Sequence, residues 1–370
     1  MSFAIRSVRL YPYTIPLKMP FRISAGEIRE KDGLLVEIIS SDGITGWGEA
    51  SVDKVPFYAH ETVGSAMDLL THSLVPILQD KVFEHPDEAT EILDHYRGNH
   101  FAKAALDAAL WDIYGKQMNK PVWQLLGGKD APVEVGPSLG IKKEPSMLTD
   151  AVAAKLQEGF RRIKIKVSPG SDTDFIAAVR ERFPDISLMV DANNAYSMAD
   201  LDKIAEWDPY HLLMIEQPLD ERDIYFHSIL KKRIKTPVCL DESIHTMHDA
   251  KCSADLNSAD IINIKVCRVG GLTNARRIHD FCQQQGIVNW IGSRVGSGVA
   301  EAARLAAATL PNCTLPSDCV ITRMYMTDDV LTEPFKIDTC FVPPPRDPGL
   351  GFDIDRDKLK FYAKEPLTIL

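Results

Sequence analysis

Three acidic residues end three short apolar runs at one fixed interval: Asp191 in MVDANNAY, Glu216 in MIEQPL and Asp241 in CLDES, 25 residues apart each time. Lysines end the neighbouring runs. Lys164 and Lys166 stand in RRIKIKV before the first acid, and Lys265 stands in IINIKV, 24 residues after the last. Three carboxylates offer the hard oxygen ligands that suit magnesium or manganese while leaving positions for water and substrate. No histidine or cysteine occupies these run ends, so zinc is a poor fit. Asp is also a good helix cap. Capping explains one acid, but not three in succession with lysines on both sides.

Lys164 and Lys166 are two residues apart in Ile163-Lys164-Ile165-Lys166-Val167, so on a strand they share a face opposite the isoleucines. Solvated lysines on an edge strand are the plain alternative. Facing an interior, a lysine pays desolvation, its pKa falls, and it becomes a general base near neutral pH. A nearby divalent cation pushes the same way. Lys265 repeats the pattern in Ile262-Asn263-Ile264-Lys265-Val266. Asn193 and Asn263 share faces with Asp191 and Lys265 and are candidates to assist. A metal that holds a substrate carboxylate stabilises the enediolate formed when a base removes the α-proton. One lysine on each face permits racemisation. A base on one face also serves elimination of a β-leaving group.

A strand, a helix and two loops take about 25 residues, so the interval predicts a repeating βα unit. A parallel barrel brings the C-terminal ends of its strands to one mouth. Strands are predicted to end near Gly140, Lys166, Asp191, Glu216, Asp241, Lys265 and Gly292, with an eighth near Leu315. Helical segments such as TDFIAAVRERF and LTNARRIHDFCQQQG lie between them. The first 60 or so residues instead alternate, with an Asp-Gly turn in SSDGITGWGEA, as antiparallel strands do. From Glu61 to Gly115 the period is helical, with Ala102, Ala105, Leu106, Ala109, Leu110 and Ile113 on one face. The expected fold is α/β: a (β/α)7β TIM-type barrel over 131–322, starting near Val133. An α+β capping domain covers 1–130, and the segment 323–370, which contains the Pro-rich run FVPPPRDPGLGF, returns to it.

Composition agrees with a globular protein: 370 residues, 45% apolar and 25% charged. A net charge of −10 argues against nucleic acid or anionic membrane as a partner. No signal-type or membrane-spanning apolar run is present. Cysteines 239, 252, 267, 282, 313, 319 and 340 are odd in number and scattered, which fits reduced thiols in the cytoplasm.

The ordered elements KIK, VDANNAY, IEQPL, LDES and NIK resemble the enolase superfamily in its muconate-lactonizing branch. The resemblance extends through DGITGWGEA, YRGNHFAKAALDAALWDIYGK and WQLLGGK, and so covers nearly the whole chain. RRIKIKVSPG, RVGGLTNARRIHD and LPNCTLP are most similar to o-succinylbenzoate synthases that also act as N-succinylamino acid racemases. The resemblance implies that Asp191, Glu216 and Asp241 bind magnesium and that Lys166 is the base on one face. Lys164 would assist it and lower its pKa. Lys265 would be the second base in racemisation, or a cation steadying the intermediate in elimination. A small-molecule carboxylate is the expected substrate and a homo-oligomer the expected assembly. Dipeptide epimerase, cycloisomerase and hydroxyproline-type dehydratase or epimerase share this chemistry and differ in the pocket distal to the carboxylate. A catalytically silent protein on the same scaffold is expected to lose a ligand or a lysine, and all six are present.

Two loops of the capping domain are expected over the mouth, Phe21–Gly26 with Phe21 and Ser24, and Asp53–Tyr58 with Phe57 and Tyr58. The aromatics either line a substrate pocket or pack the domain interface. Ser138 from the first strand and Ser293 and Arg294 after the seventh complete the expected wall. That last stretch departs from the related enzymes. They usually carry Met-Leu-Glu-Ser-Gly where this chain has Arg294-Val295-Gly296-Ser297-Gly298, so Gly296 replaces an acid and a more positive mouth is expected. Pro137 beside Ser138, where valine is more usual, removes a donor and stiffens that wall.

Overall fold

The computed structural model describes residues 2–23, 26–56, 58–318 and 322–370. Strands β1 (Phe3–Ile23), β2 (Gly26–Ser40) and β3 (Thr45–Ala50) form an antiparallel meander. The β2–β3 turn rests on Gly43, whose φ of 85° suits a residue without a side chain. Val8, Leu10, Leu34, Val36 and Ile38 face a core shared with helix α1 (His100–Gln117). Helix and sheet approach so closely that a Cβ at Gly48 would stand 1.9 Å from the Ala105 carbonyl oxygen. The Gly-Trp-Gly sequence is therefore a packing requirement.

The periodicity of α1 suggested one apolar face, but every residue from Phe101 to Ile113 is buried. Ala102, Ala105, Leu106, Ala109, Leu110 and Ile113 meet the meander, while Ala108 and Trp111 join the barrel core. A helix covered on both sides has no solvent face to reveal a period.

Seven parallel strands follow in sequence order: β4 (Ser138–Leu139), β5 (Arg162–Lys166), β6 (Ser187–Asp191), β7 (Ile215–Glu216), β8 (Val238–Leu240), β9 (Ile261–Ile264) and β10 (Val288–Ile291). Two parallel bridges, Asn289 to Cys313 and Val135 to Ser317, place residues 313–318 between the last strand and the first. The eighth stave is these bridges rather than a continuous strand. Val133–Glu134, expected to open the barrel, pairs antiparallel with Phe341–Val342 instead. Ile163 and Ile165 pack outward with the helices. Met189, Met214, Cys239 and Trp290 form a separate interior layer.

The chain then returns to the meander: Met326 bridges Leu17, and β11 (Leu367–Thr368) pairs with Leu10 and Arg9 of β1. The six described cysteines are free thiols; Cys319 lies outside the described residues. Among the described residues no helix is long and apolar enough to cross a membrane.

Candidate active site

Parallel register fixes the acids in one layer. Lys166 pairs with Asp191, Asp191 with Glu216, and Glu216 with Cys239, two residues before Asp241. All three acids are buried at the C-terminal ends of their strands. Asn193 and Asn194, two and three residues after Asp191, and Gln217, directly after Glu216, have φ of 42°, 64° and 38°. Such left-handed backbone costs about 1–3 kcal/mol for a residue other than glycine and persists where surrounding bonds hold it. Gln217 supplies part of that hold: its Oε1 accepts from the backbone N–H of Asp241 at 2.9 Å, and its Nε2 donates to Ser243 at 2.8 Å.

The lysines reach these acids from both sides. Lys166 Nζ donates to Asp191 Oδ2 and Asn193 Oδ1, each at 2.6 Å. Lys265 Nζ donates to Asp241 Oδ2 at 2.5 Å and to the Tyr58 hydroxyl at 2.6 Å. They leave the second and sixth staves of an eight-stave barrel, which are diametrically opposed. Lys164 lies 3.2 Å from Glu216 and 3.5 Å from Asp191, and it also bonds Asp318.

Burial pushes the Lys164 ammonium toward neutrality, but Asp318, Glu216 and Asp191 outweigh it and hold the amine well above its ordinary range. Burial alone had suggested the opposite. Asp318 was missed in sequence because it stands three residues past the expected end of the eighth stave. Burial and the neighbouring Asp191 push Glu216 well above the usual carboxylate range. Burial also opposes ionisation of Asp241, yet Arg268 and Lys265 hold it below that range. Arg268, three residues after Lys265, bonds both Asp241 and Tyr58. Its spacing from Lys265 was the available signal.

The three carboxylates presently face ammonium groups, and among the described residues no group of three or more acid, histidine or cysteine side chains is arranged to hold a metal ion. Their chemistry fits one nonetheless. Three buried oxygen-donor side chains share one strand-end layer, and Glu216 is strained toward protonation by burial and by the charges of Asp191 and Asp241. A hard divalent cation relieves that repulsion.

A cavity above this layer is lined by Lys164, Lys166 and Lys265, and by Phe21, Tyr58, Ser138, Asn193, Ser293 and Arg294. Tyr325, which sequence did not single out, meets Phe21 edge-on at 5.1 Å between ring centres. Asn263 is not in this wall. It is fully buried and donates to Glu216 Oε1 at 2.6 Å, so it orients an acid. Ser24 and Phe57 lie outside the described residues.

The seventh-strand departure has structural counterparts. A Cβ at Gly296 would come within 2.6 Å of Glu49 Oε1, so a capping-domain carboxylate fills the space beside this glycine. Glu49 accepts from Ser297 Oγ at 2.5 Å and from Tyr13 at 3.0 Å. Arg294 is buried and bonds Asp53. The excess positive charge expected from the Arg294 and Gly296 replacements is thus partly answered by Asp53 and Glu49.

A parallel barrel with carboxylates on three successive strands and lysines on opposite walls, capped by an α+β unit, defines a class of enzymes. The chain belongs to the enolase superfamily: residues 5–127 match the mandelate racemase / muconate lactonizing enzyme N-terminal domain, and residues 147–358 match the enolase C-terminal domain-like family. It is 41% identical to an o-succinylbenzoate synthase of Geobacillus kaustophilus over 98% of this chain and 97% of that one. Identity to an N-succinylamino acid racemase of Amycolatopsis sp is 40%, over 94% of each chain. An enolase-superfamily structure from Listeria innocua superposes with a TM-score of 0.96 at 33% identity, covering 100% of this chain and 99% of that chain.

Proposed function

We propose that this protein removes the α-proton of a small carboxylate substrate in a magnesium-dependent reaction, acting as an o-succinylbenzoate synthase by syn dehydration, as an N-succinylamino acid racemase, or as both. The observation that carries this reading is the placement of Lys166 and Lys265 on opposed staves, each bonded to one of the acids. Asp191, Glu216 and Asp241 would hold the magnesium. When bound, the ion supplies positive charge to the substrate carboxylate as the α-carbon loses its proton.

In racemisation, deprotonated Lys166 takes the α-proton of one enantiomer: the C–H bond breaks and an N–H bond forms. The Lys265 ammonium delivers a proton to the opposite face, and the roles reverse for the other enantiomer. In dehydration, Lys166 takes the proton and returns it to the β-hydroxyl departing from the same face as water, while Lys265 remains a cation. Tyr58 and Phe21, on the capping domain, close the cavity and exclude water.

The domain division assigns 1–130 and 323–370 to the cap and 131–322 to the barrel. Free thiols at the six described cysteines support a reducing, cytoplasmic setting. A homo-oligomer is part of the same proposal. The test is magnesium-dependent incorporation of deuterium at the α-carbon of N-succinyl amino acids in deuterated water, run beside dehydration of the o-succinylbenzoate precursor. Absence of both reactions, with exchange in dipeptides instead, would assign the chain to epimerisation.

A further inference from the structure

Tyr58 has open space on two sides. Its ring lines the substrate cavity and also a second cavity behind it, walled by Glu61, His100, Phe101, Glu242 and Arg268. Close packing is what usually holds an aromatic ring in one rotamer, and here packing alone does not supply it. The hydroxyl nonetheless meets three partners at once. It accepts from Lys265 at 2.6 Å and from Arg268, and it donates to Glu242 at 3.1 Å. The backbone that carries the ring must therefore be held from elsewhere.

That backbone is a strap closed at its neck, where Asp53 and Thr62 form a parallel bridge and the Val63 N–H donates to the Asp53 carbonyl at 2.9 Å. Thr62 then caps the helix Val63–Leu69 in a reciprocal pair with Ser65. Beyond the neck, among the described residues, the backbone of 58–61 makes no hydrogen bond. The Glu61 carboxylate supplies the tie. One oxygen accepts from the Phe101 N–H at 2.9 Å and the other from the Ala102 N–H at 3.0 Å. These are orphan donors in the first turn of α1, which a local cap would normally satisfy. Asn99 stands at the cap position, but it is left-handed, with φ of 56°, and its side chain donates to the Arg97 carbonyl instead. A carboxylate 40 positions away does the capping, and the helix dipole strengthens both bonds. Because α1 is buried from Phe101 to Ile113, it is a firm support.

We propose that Glu61 is a positioning residue: by capping α1 it sets the reach of the strap, aims the Tyr58 hydroxyl at Lys265, and so governs proton transfer on the Lys265 face. This rests on the reading of Lys265 as the base on one face of the substrate. Glu61 does not line the substrate cavity. Its effect runs through Tyr58 and is weaker on the opposite face, where Asp191 and Asn193 hold Lys166.

Deuterium incorporation into each enantiomer of N-succinylalanine, measured on the magnesium-loaded protein, tests this. Glu61→Ala, or Glu61→Gln should the first not fold, is expected to slow exchange at the Lys265 face roughly tenfold relative to the Lys166 face, as displacement of a positioned group does. In a Tyr58→Phe background the same substitution is expected to leave that ratio within about twofold, since the link it acts through is already gone. Equal slowing on both faces, or an undiminished effect without the Tyr58 hydroxyl, would overturn the proposal. Fluorine NMR of protein labelled with fluorotyrosine reads the position of Tyr58 without any reaction. The resonance lost in Tyr58→Phe is expected to move toward that of free fluorotyrosine in Glu61→Ala, and a resonance that stays in place overturns the positioning. Absence of exchange in the unaltered protein, with the fluorine shift as expected, removes the reaction and retains the tie between Glu61 and Tyr58. Exchange without the fluorine shift does the reverse.

Discussion

Lys166 and Lys265, on opposite walls of the barrel, are joined by a continuous hydrogen-bonded chain. Lys166 donates to Asn193 at 2.6 Å, and Asn193 donates to Glu242 at 2.8 Å. Tyr58 donates to the same Glu242 oxygen at 3.1 Å and accepts from Lys265 at 2.6 Å. One link of this chain, Tyr58, is supplied by the capping domain, so the cap helps to position Lys265 as well as covering the mouth.

Tyr58→Phe removes that link while keeping the ring. Lys265 loses one of its two bonded partners, and the half-reaction it serves is expected to slow roughly 10- to 100-fold. Deuterium exchange measured separately on each enantiomer should show the larger loss on the face of Lys265. An equal loss on both faces would indicate general loosening.

Lys265→Ala is expected to stop racemisation while leaving exchange of one enantiomer detectable, and Lys166→Ala the converse. Proton NMR of each pure enantiomer in deuterated water reads both. Equal exchange of the two enantiomers in either variant contradicts a base on each face.

Glu216→Gln keeps the shape of the central acid and removes one charge. Magnesium affinity by calorimetry is expected to fall about 100-fold or more, and activity with it, since a hard cation depends on ionised oxygen donors. Retained affinity would mean that the ion binds elsewhere.

Asp107 ties the cap to the barrel. It accepts from Thr90 at 2.7 Å, and from the backbone N–H groups of Leu272 and Thr273 at the start of α2 (Leu272–Gln285). Burial pushes its carboxyl from 3.8 up to about 6. The folded state therefore holds this proton more tightly than the unfolded chain. Its stabilising contribution is full below pH 3.8 and is lost as pH rises through about 6. The difference is on the order of 3 kcal/mol. Asp107→Asn lacks this titration, and its stability relative to the unaltered protein is expected to rise between pH 4 and 7 in urea unfolding. A pH-independent difference would show that the carboxyl is ionised throughout.

The barrel and its chemical layer were legible because each element is local. An apolar run ending in Asp191, Glu216, Asp241 or a lysine is one strand, and parallel register then aligns those ends whatever the rest of the chain does. The Lys-x-Lys alternation likewise settled which face the amines take. The helix α1 was legible as a helix but not as one buried all round, because burial depends on what packs against it.

The sequence by itself thus determined the repeating unit, the acids and the lysines. Tertiary structure decided what those charges meet. Asp318 reverses the effect of burial on Lys164, Glu49 fills the space at Gly296, Asp53 takes hold of Arg294, and Tyr58 joins Lys265 to Glu242. Asp53 and Arg294 are 241 positions apart, and Tyr58 and Lys265 are 207 apart. Such pairs leave no periodic trace, since the energy of a buried charge depends on neighbours brought to it by barrel closure and domain docking rather than by the residues beside it in the chain.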